Sequence, residues 1–412
     1  MKTVSPEDFA AALRRLLPAT RPDGTPYKHY LQLPAIGQEE AQRLSEVVLG
    51  AGNWVSNAGP DVPRFERALE AFMGDGHVVA CVNGTTAIQI ALQLAGVGPM
   101  HTLPGQPDLK QRDMVICPSL TFVATANAIV HRGAVPAFVD AETETLGMDP
   151  AALLDFLQSQ CERRGTSTFH KETGFRVGAI MPVHIFGNPC QIEALAAIAQ
   201  DWGIPLVEDA AESLGSWSGQ THTGLFGVAA ATSFNGNKLI TTGGGGAIIT
   251  GDPKLAALAK HITSTAKDPD RPGWQYWHNE VAYNYRMPNL NAAFGLAQAA
   301  RLPALLDQKE RLFERWTQIF AELDGVELVG TRPDTKANRW LVAARLPEGT
   351  PMEARDAILK HLNAQGLFCR PVWVPMHKLP MYRHCPQGPL PCTEAIEATI
   401  INIPSTAALA DL

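Results

Sequence analysis

Cysteine is scarce and unpatterned in this chain: seven residues, at 81, 117, 161, 190, 369, 385 and 392, with no C-x-x-C pair among them. That excludes a disulfide framework and a structural zinc site and favours free thiols in a reducing compartment; no metal site is expected. Long apolar runs are missing as well. The longest strongly apolar stretch free of Asp, Glu, Lys and Arg, Met114 to Val130, holds Pro118, Asn127 and three hydroxyl residues, so it does not read as a membrane-spanning helix. The opening residues carry charge without a following apolar stretch, and Arg14 and Arg15 interrupt the first leucine-rich helix. No export signal is read, and a cytoplasmic protein is expected. Basic blocks are lacking too, and the net charge is -7 with a pI near 6.0. The overall field therefore attracts neither nucleic acid nor an acidic membrane, and an anionic ligand must be held by a local pocket.

What is present is a globular composition, 45% apolar and 18% charged over 412 residues. The chain exceeds the ~250–300 residues at which one core stops growing, so two domains sharing a cleft are expected. Gly (35) and Pro (31) are somewhat over-used without a period, which assigns the excess to turns.

Helices are predicted at Gln38–Leu49 and Val62–Met73 from their apolar faces. Short apolar strands then alternate with helices. The strands are His77–Val82, Met114–Cys117, Val135–Val139, Val177–Val183 and Pro205–Val207; the helices are Thr86–Leu94, Thr125–His131, Asp149–Gln160 and Gln191–Trp202. This pattern predicts a mostly parallel sheet buried on both faces, with its ligand beyond the carboxyl ends of the strands. Farther on come a short strand at Ala247–Thr250, a long helix over Leu302–Leu323, and an α+β region with strands at Val326–Val329, Trp340–Leu346 and Leu367–Pro371 around a helix at Glu353–Gln365. The stretches Met100–Arg112 and Arg163–Arg176 read as polar surface insertions.

The residues after the strands carry the chemistry. Asn83-Gly-Thr-Thr-Ala87 leads directly into an apolar helix. Its amides, the hydroxyls of Thr85 and Thr86, and the close approach Gly84 allows would suit a phosphate, although the same residues would make an ordinary helix cap. Glu208 and Asp209 stand at the mouth of the buried sheet, where carboxylates need a cationic or hydrogen-bonding partner, a helix cap being the plainer reading. Lys238, in Ser233-Phe-Asn-Gly-Asn-Lys238, sits between an apolar run and a glycine turn. A desolvated lysine amine is a nucleophile towards carbonyl compounds, and a loop lysine is the plainer reading. The glycines Gly243 to Gly246 fit neither G-x-G-x-x-G nor a P-loop, whose lysine follows its glycines. Together, a phosphate cradle, a strand-end Asp and a Lys meet the three needs of pyridoxal phosphate: its phosphate, its ring nitrogen and its aldehyde.

With these runs in place, together with Trp54-Val-Ser-Asn-Ala-Gly-Pro60, Ser119-Leu-Thr-Phe-Val-Ala-Thr-Ala-Asn127, Glu208-Asp-Ala-Ala-Glu-Ser-Leu-Gly215 and Tyr283-Asn-Tyr-Arg-Met287, the chain from about residue 31 to 404 resembles the DegT/DnrJ/EryC1/StrS sugar aminotransferases. Val183-His-Ile-Phe-Gly-Asn-Pro189, Arg370-Pro-Val-Trp373, Lys378-Leu-Pro-Met-Tyr382 and Asn402-Ile-Pro404 are similar to the LegC-like branch. The resemblance implies an α/β, aspartate aminotransferase-like fold type I, with a mostly parallel seven-stranded sheet sandwiched by helices and a smaller C-terminal α+β domain. It divides the chain into an N-terminal extension (1–30), a large cofactor domain (31–290) and a small domain (291–412).

It further implies pyridoxal 5'-phosphate as cofactor, with pyridoxamine phosphate as the intermediate form. Lys238 would carry the cofactor and shuttle the proton, Asp209 would hold the ring nitrogen, Phe122 would stack on the ring, and Glu212 would reach the ring hydroxyl side. Glu212 stands where the family more commonly has Gln. Gly84, Thr85, Thr86, Ser233 and Asn235 would complete the cofactor site, with Asn284 reaching in from the second subunit of a homodimer. His184, Arg286, Arg370 and His377 are the substrate-side candidates, His184 as a group orienting Asp209, the others towards the pyrophosphate or the glutamate carboxylate. Trp274, Tyr276 and Trp277 read as packing or as a stack for a base.

The implied reaction moves an amino group from L-glutamate to a nucleotide-linked 4-keto-6-deoxy sugar, with UDP-4-keto-6-deoxy-N-acetylglucosamine preferred, for bacterial surface glycan biosynthesis. Alternatives are a GDP-perosamine-type or C3-keto enzyme and a non-catalytic cofactor-binding regulator. A related dehydratase is disfavoured because it carries His where Lys238 stands.

Overall fold

The computed structural model describes residues 4–50, 55–57, 59–98, 112–272 and 274–412. Trp54 and Ala58 of the first motif, and the polar stretch expected at Met100–Arg112 except its last residue, lie outside these. Strands form at His77–Cys81, Asp113–Pro118, Val135–Val139, Arg176–Ile180, Val207–Asp209, Ala229–Ser233 and Gly246–Thr250. Val135–Val139, Asp113–Pro118 and Arg176–Ile180 pair in parallel. The parallel bridges Ile180 to Leu206 and Val183 to Asp209 join them to Val207–Asp209, which pairs in parallel with Ala229–Ser233. Gly246–Thr250 follows, antiparallel to both of its neighbours, and His77–Cys81 closes the edge.

Alternation explains why these runs are apolar throughout. Val115, Cys117 and Ala179 pack with Ile88 and Ile129 of the helices Gly84–Leu94 and Val123–His131. Met114, Ile116 and Ala137 face the other way, onto Leu153, Phe156 and Leu195 of Pro150–Gln160 and Ile192–Trp202. With both faces buried, neither parity of the strand is left for polar side chains.

Two expectations are corrected here. The stretch Arg163–Arg176 is no loop insertion: Cys161–Arg164 and Ser167–His170 form a hairpin that extends the sheet. Cys161, Thr168 and His170 turn inward while Arg163 and Arg164 face solvent, so charges on the outer face disguised a strand. The long helix runs over Asn289–Phe320, 32 residues, and begins well before Leu302. Its early turns are small residues, which give a weak periodic signal, and they serve close packing. A Cβ on Gly295 would come within 2.8 Å of the Phe65 ring.

The second core gathers Leu312, Trp316 and Phe320 from this helix with Ile358 and Leu362 of Met352–Ala364. It sits on an antiparallel sheet ordered Glu327–Leu328, Val342–Arg345, Ile400–Ile403, Arg370–Pro371. The opening helix, Pro6–Arg14, is built into this core through Phe9 and Leu13 rather than standing apart as an extension.

Lys309 lies within the long helix, 1% exposed. Its Nζ donates to Gln32 Oε1 (2.7 Å), the Trp340 carbonyl (2.8 Å) and the Ser405 carbonyl. Burial pushes its pKa well down. Three acceptors on one nitrogen nevertheless match the three N–H bonds of an ammonium. Lys309→Met is expected to leave these oxygens unpaired and cost about 3 kcal/mol, read as a clear fall in melting temperature.

Candidate active site

Local sequence brings the chain's chemical groups to one end of the sheet. Asn83 caps the helix Gly84–Leu94 by accepting from the Thr86 amide (2.8 Å). The amides of Gly84 and Thr85 make no hydrogen bond to the described residues, and both residues line a cleft of about 340 Å³. Gly84 lies so close to the end of the neighbouring strand that an added Cβ would stand 2.9 Å from Ser233 Cβ. Thr86 is corrected: its hydroxyl donates back to the Asn83 carbonyl (2.9 Å) and is used within the helix turn.

Asp209, 3% exposed, ends the strand Val207–Asp209. Its carboxylate accepts from Thr125 Oγ1 (2.7 Å) and the Ala211 amide (3.1 Å). Burial raises its pKa, while Thr125, Ala211 and the nearby Lys238 oppose the rise. Such a carboxylate favours a cationic N–H donor placed in the cleft before it.

Lys238 follows the strand Ala229–Ser233 through a tight turn closed by its own amide to the Asn235 carbonyl (3.0 Å). Its Nζ lies 3.4 Å from Glu212 Oε1 and 3.8 Å from the centroid of the Trp340 ring. Glu212 is buried, its pKa raised by desolvation against the pull of Lys238 and the Phe186 amide. That amide reaches Glu212 Oε2 at 2.8 Å because Phe186 adopts φ 57, a left-handed conformation a non-glycine residue takes only at a cost of order 1 kcal/mol. Phe122 is 50% exposed and stands over the cleft.

Gly84, Thr85, Phe122, Asp209, Glu212, Ser233, Asn235 and Lys238 thus share one cavity. Anion donors, a buried carboxylate, an amine and an aromatic face converge there. This donor set fits a flat, phosphorylated aromatic aldehyde whose ring nitrogen is protonated. A side chain at position 84 would intrude on the phosphate turn. Gly84→Ala is expected to weaken cofactor binding about 10-fold to 100-fold, measured by titrating cofactor absorbance.

Several site expectations fall elsewhere. His184 is fully buried, and its Nε2 pairs with Glu208 Oε2 (3.1 Å) rather than with Asp209 or a substrate. Glu208 also accepts the amides of Gly224, Phe226 and Gly227, so the pair secures the loop behind the sheet. Arg286 is buried and tied to Glu66 (2.7 Å) and the Ala80 carbonyl (3.0 Å), outside the cleft. His377 Nδ1 lies 2.7 Å from Ser119 Oγ, behind the loop that carries Phe122, and does not line the cavity. Arg370 lines a neighbouring hollow instead. Asn284 is exposed and accepts from Asn57 Nδ2 (3.2 Å), away from this chain's own cleft.

Thr125, Asn237, Trp340 and Trp373 were missed as site residues. Trp340 and Trp373 flank the strands Val342–Arg345 and Arg370–Pro371 of the antiparallel sheet, and nothing local distinguishes them from core tryptophans. Thr125 and Trp373 do lie in the runs that carry the resemblance, which was the available signal. Among the described residues no group of three or more His, Cys, Asp or Glu could hold a metal, and no helix is long and apolar enough to cross a membrane.

The sequence profile of the DegT/DnrJ/EryC1/StrS aminotransferase family matches residues 34–411. GDP-perosamine synthase of Caulobacter vibrioides is 35% identical over 362 residues, covering 87% of this chain and 88% of the relative. Spore coat polysaccharide biosynthesis protein SpsC of Bacillus subtilis is 32% identical over 365 residues, with 86% of each covered. The crystal structure of a DegT DnrJ EryC1 StrS aminotransferase from Brucella abortus aligns with a TM-score of 0.77 at 27% identity, over 92% of this chain and 96% of that one. The match along nearly the whole chain, on a fold and cleft suited to the cofactor, makes this protein a pyridoxal phosphate-dependent aminotransferase that belongs to the DegT/DnrJ/EryC1/StrS family.

Proposed function

We propose that this enzyme transfers an amino group from L-glutamate to the keto carbon of a nucleotide-linked 4-keto-6-deoxy sugar, working as a homodimer. The observation that carries the reading is the opening of Lys238 Nζ, the Asp209 carboxylate and the Gly84–Thr85 turn into one cleft. Pyridoxal phosphate, when bound, supplies the electron sink for moving the amino group. The amides of Gly84 and Thr85 and the Ser233 hydroxyl hold its phosphate, with Asn235 beside them. Asp209 keeps its ring nitrogen protonated, and Phe122 covers one ring face. Lys238 Nζ moves the proton between cofactor and substrate carbons, and Glu212 keeps that amine in place between exchanges.

The LegC-like runs support UDP-4-keto-6-deoxy-N-acetylglucosamine as acceptor. A second reading, a GDP-linked acceptor, is supported by the GDP-perosamine synthases of Caulobacter vibrioides and Vibrio cholerae, the latter 29% identical over 379 residues. Purified enzyme is incubated with glutamate and a panel of UDP- and GDP-linked keto sugars, and the product masses are read. Aminated UDP product alone supports the first acceptor and aminated GDP product alone the second; no aminated product removes the proposal.

The dimer reading is supported by Asn284, which is remote from its own cleft, and by its segment, which exposes Trp274 (77%) and Tyr276 (87%). Sedimentation of the holoenzyme at the mass of a single chain would remove it.

A further inference from the structure

Lys238 Nζ has two neighbours in the cleft, Glu212 Oε1 at 3.4 Å and the face of the Trp340 ring, its centroid 3.8 Å away. Neither belongs to the turn that carries the lysine. Glu212 lies in the segment after the strand Val207–Asp209, and Trp340 stands just ahead of the strand Val342–Arg345 in the antiparallel sheet. A single buried side chain joins the two.

Asn338 is 1% exposed, and every polar atom of its side chain is used at that junction. Its Nδ2 donates to the Glu212 carbonyl (2.8 Å) and the Leu214 carbonyl (2.9 Å), and its Oδ1 accepts from the Trp340 amide (2.8 Å). Two carbonyls at one end and an N–H at the other fix which way round the carboxamide stands. Its own backbone amide donates to Ser216 Oγ (3.0 Å), which donates in turn to the Gly187 carbonyl (2.7 Å). Gly187, at φ 86°, leaves the room this requires, since a Cβ there would overlap Asn338 Oδ1. The residue before it is Phe186, whose amide holds Glu212 Oε2 (2.8 Å). Glu212 is thus gripped at its backbone by Asn338 and at its carboxylate by the neighbour of Gly187.

The circuit closes on the lysine. Trp340 Nε1 donates to the carbonyl of Asn237 (2.7 Å), the residue next to Lys238 in the chain, and the Trp340 carbonyl accepts from Lys309 Nζ (2.8 Å). Connections therefore run from Asn338 through Trp340 to the lysine turn and through Glu212 to the amine, although Asn338 itself does not line the cleft.

We propose that Asn338 is a positioning residue for Lys238, setting the ring and the carboxylate between which the amine is held. The inference rests on the role given to Lys238 above. A carboxamide suits the task because it places two donors and an acceptor in one rigid plane, so a single group fixes the Glu212 and Trp340 backbones relative to each other. Placement matters, since moving a reacting group by about 1 Å costs on the order of 10²-fold in rate. The effect falls on the amine and spares the phosphate turn, because Gly84 and Thr85 take no part in the circuit.

The test separates the two forms of the cofactor. Pyridoxal phosphate carries an aldehyde that the Lys238 amine must meet, and pyridoxamine phosphate does not. Asn338→Ala is expected to slow capture of pyridoxal phosphate by the cofactor-free protein about tenfold, followed by absorbance, and to lower kcat about 10-fold to 100-fold. Its affinity for pyridoxamine phosphate and its KM for the keto sugar are expected to stay within about threefold of wild type. A residue that only stabilised the fold would weaken both forms of the cofactor together. Trp340→Phe keeps a ring but loses the Nε1 donor, and is expected to slow capture about threefold in the same selective way. The double variant is expected to lose less than the product of the two single losses, because Asn338 acts partly through Trp340. Wild-type capture of pyridoxal phosphate by folded Asn338→Ala, or equal weakening of both cofactor forms, would overturn the assignment. Should that variant fail to fold, capture at the wild-type rate by Trp340→Phe overturns it instead. Retained turnover in Lys238→Ala fails the role of the lysine itself and takes this inference with it.

Discussion

Lys238→Ala is expected to abolish turnover, lowering kcat by at least about 10⁴-fold, while the protein still folds and takes up free pyridoxamine phosphate. The reason lies in how few groups can do the work. Lys238 is the amine that lines the cleft, and the carboxylates beside it, Asp209 and Glu212, are each committed to backbone or hydroxyl donors. Removing Nζ leaves the phosphate turn at Gly84 and Thr85 untouched, so cofactor binding and chemistry separate. Arginine does not rescue the variant, because a guanidinium does not release its proton at usable pH. The check is amination of the nucleotide keto sugar followed by mass spectrometry, with pyridoxamine phosphate uptake followed by absorbance. Retained turnover would remove Lys238 from its assigned role.

Asp209→Asn is expected to lower kcat/KM on the order of 10²–10³-fold, the scale of losing one preorganised electrostatic contact in a closed site. The amide keeps an acceptor for Thr125 but does not hold a proton on a ring nitrogen. A pH signature accompanies the loss. Burial raises the Asp209 pKa above its ordinary value of 3.8. Between that value and the raised one, the unfolded chain has lost the proton while the folded chain keeps it. The folded state then binds more protons, so the carboxylate lowers stability progressively as pH rises through the window. The cofactor-free wild type should therefore lose melting temperature from about pH 4 upward, and Asp209→Asn should show a shallower loss. Glu212, raised in the same direction, supplies the part that remains. Identical pH profiles would show that Asp209 is not strained by burial.

The parallel part of the main sheet was legible because its strands are apolar on both parities and end in polar chemistry. That pattern located Asp209, Lys238 and the Gly84 turn without any contact information. Where the sequence reading failed, it failed for physical reasons. Charged residues on the solvent face hid the hairpin Cys161–Arg164 and Ser167–His170, and small residues weakened the periodicity of the long helix at its start. His184 was read as orienting Asp209 and Arg286 as facing substrate because a charged residue type says nothing about which carboxylate will neutralise it. Their partners, Glu208 and Glu66, are set by tertiary packing. Trp340 carried no chemical sign, since its importance comes only from standing against Lys238 in the cleft.

The helix Asn289–Phe320 has a consequence for cooperativity. Its first turns bury Ala292 in the core that holds Phe65 and Phe234, while Leu312, Trp316 and Phe320 lie in the second core. A continuous rod anchored at both ends denies either core an independent melting event, because loss of one leaves half of the helix without its packing. Pro303, which lacks an N–H to close its turn, does not divide the rod, because Leu302 and Leu305 on either side of it are buried in the same core.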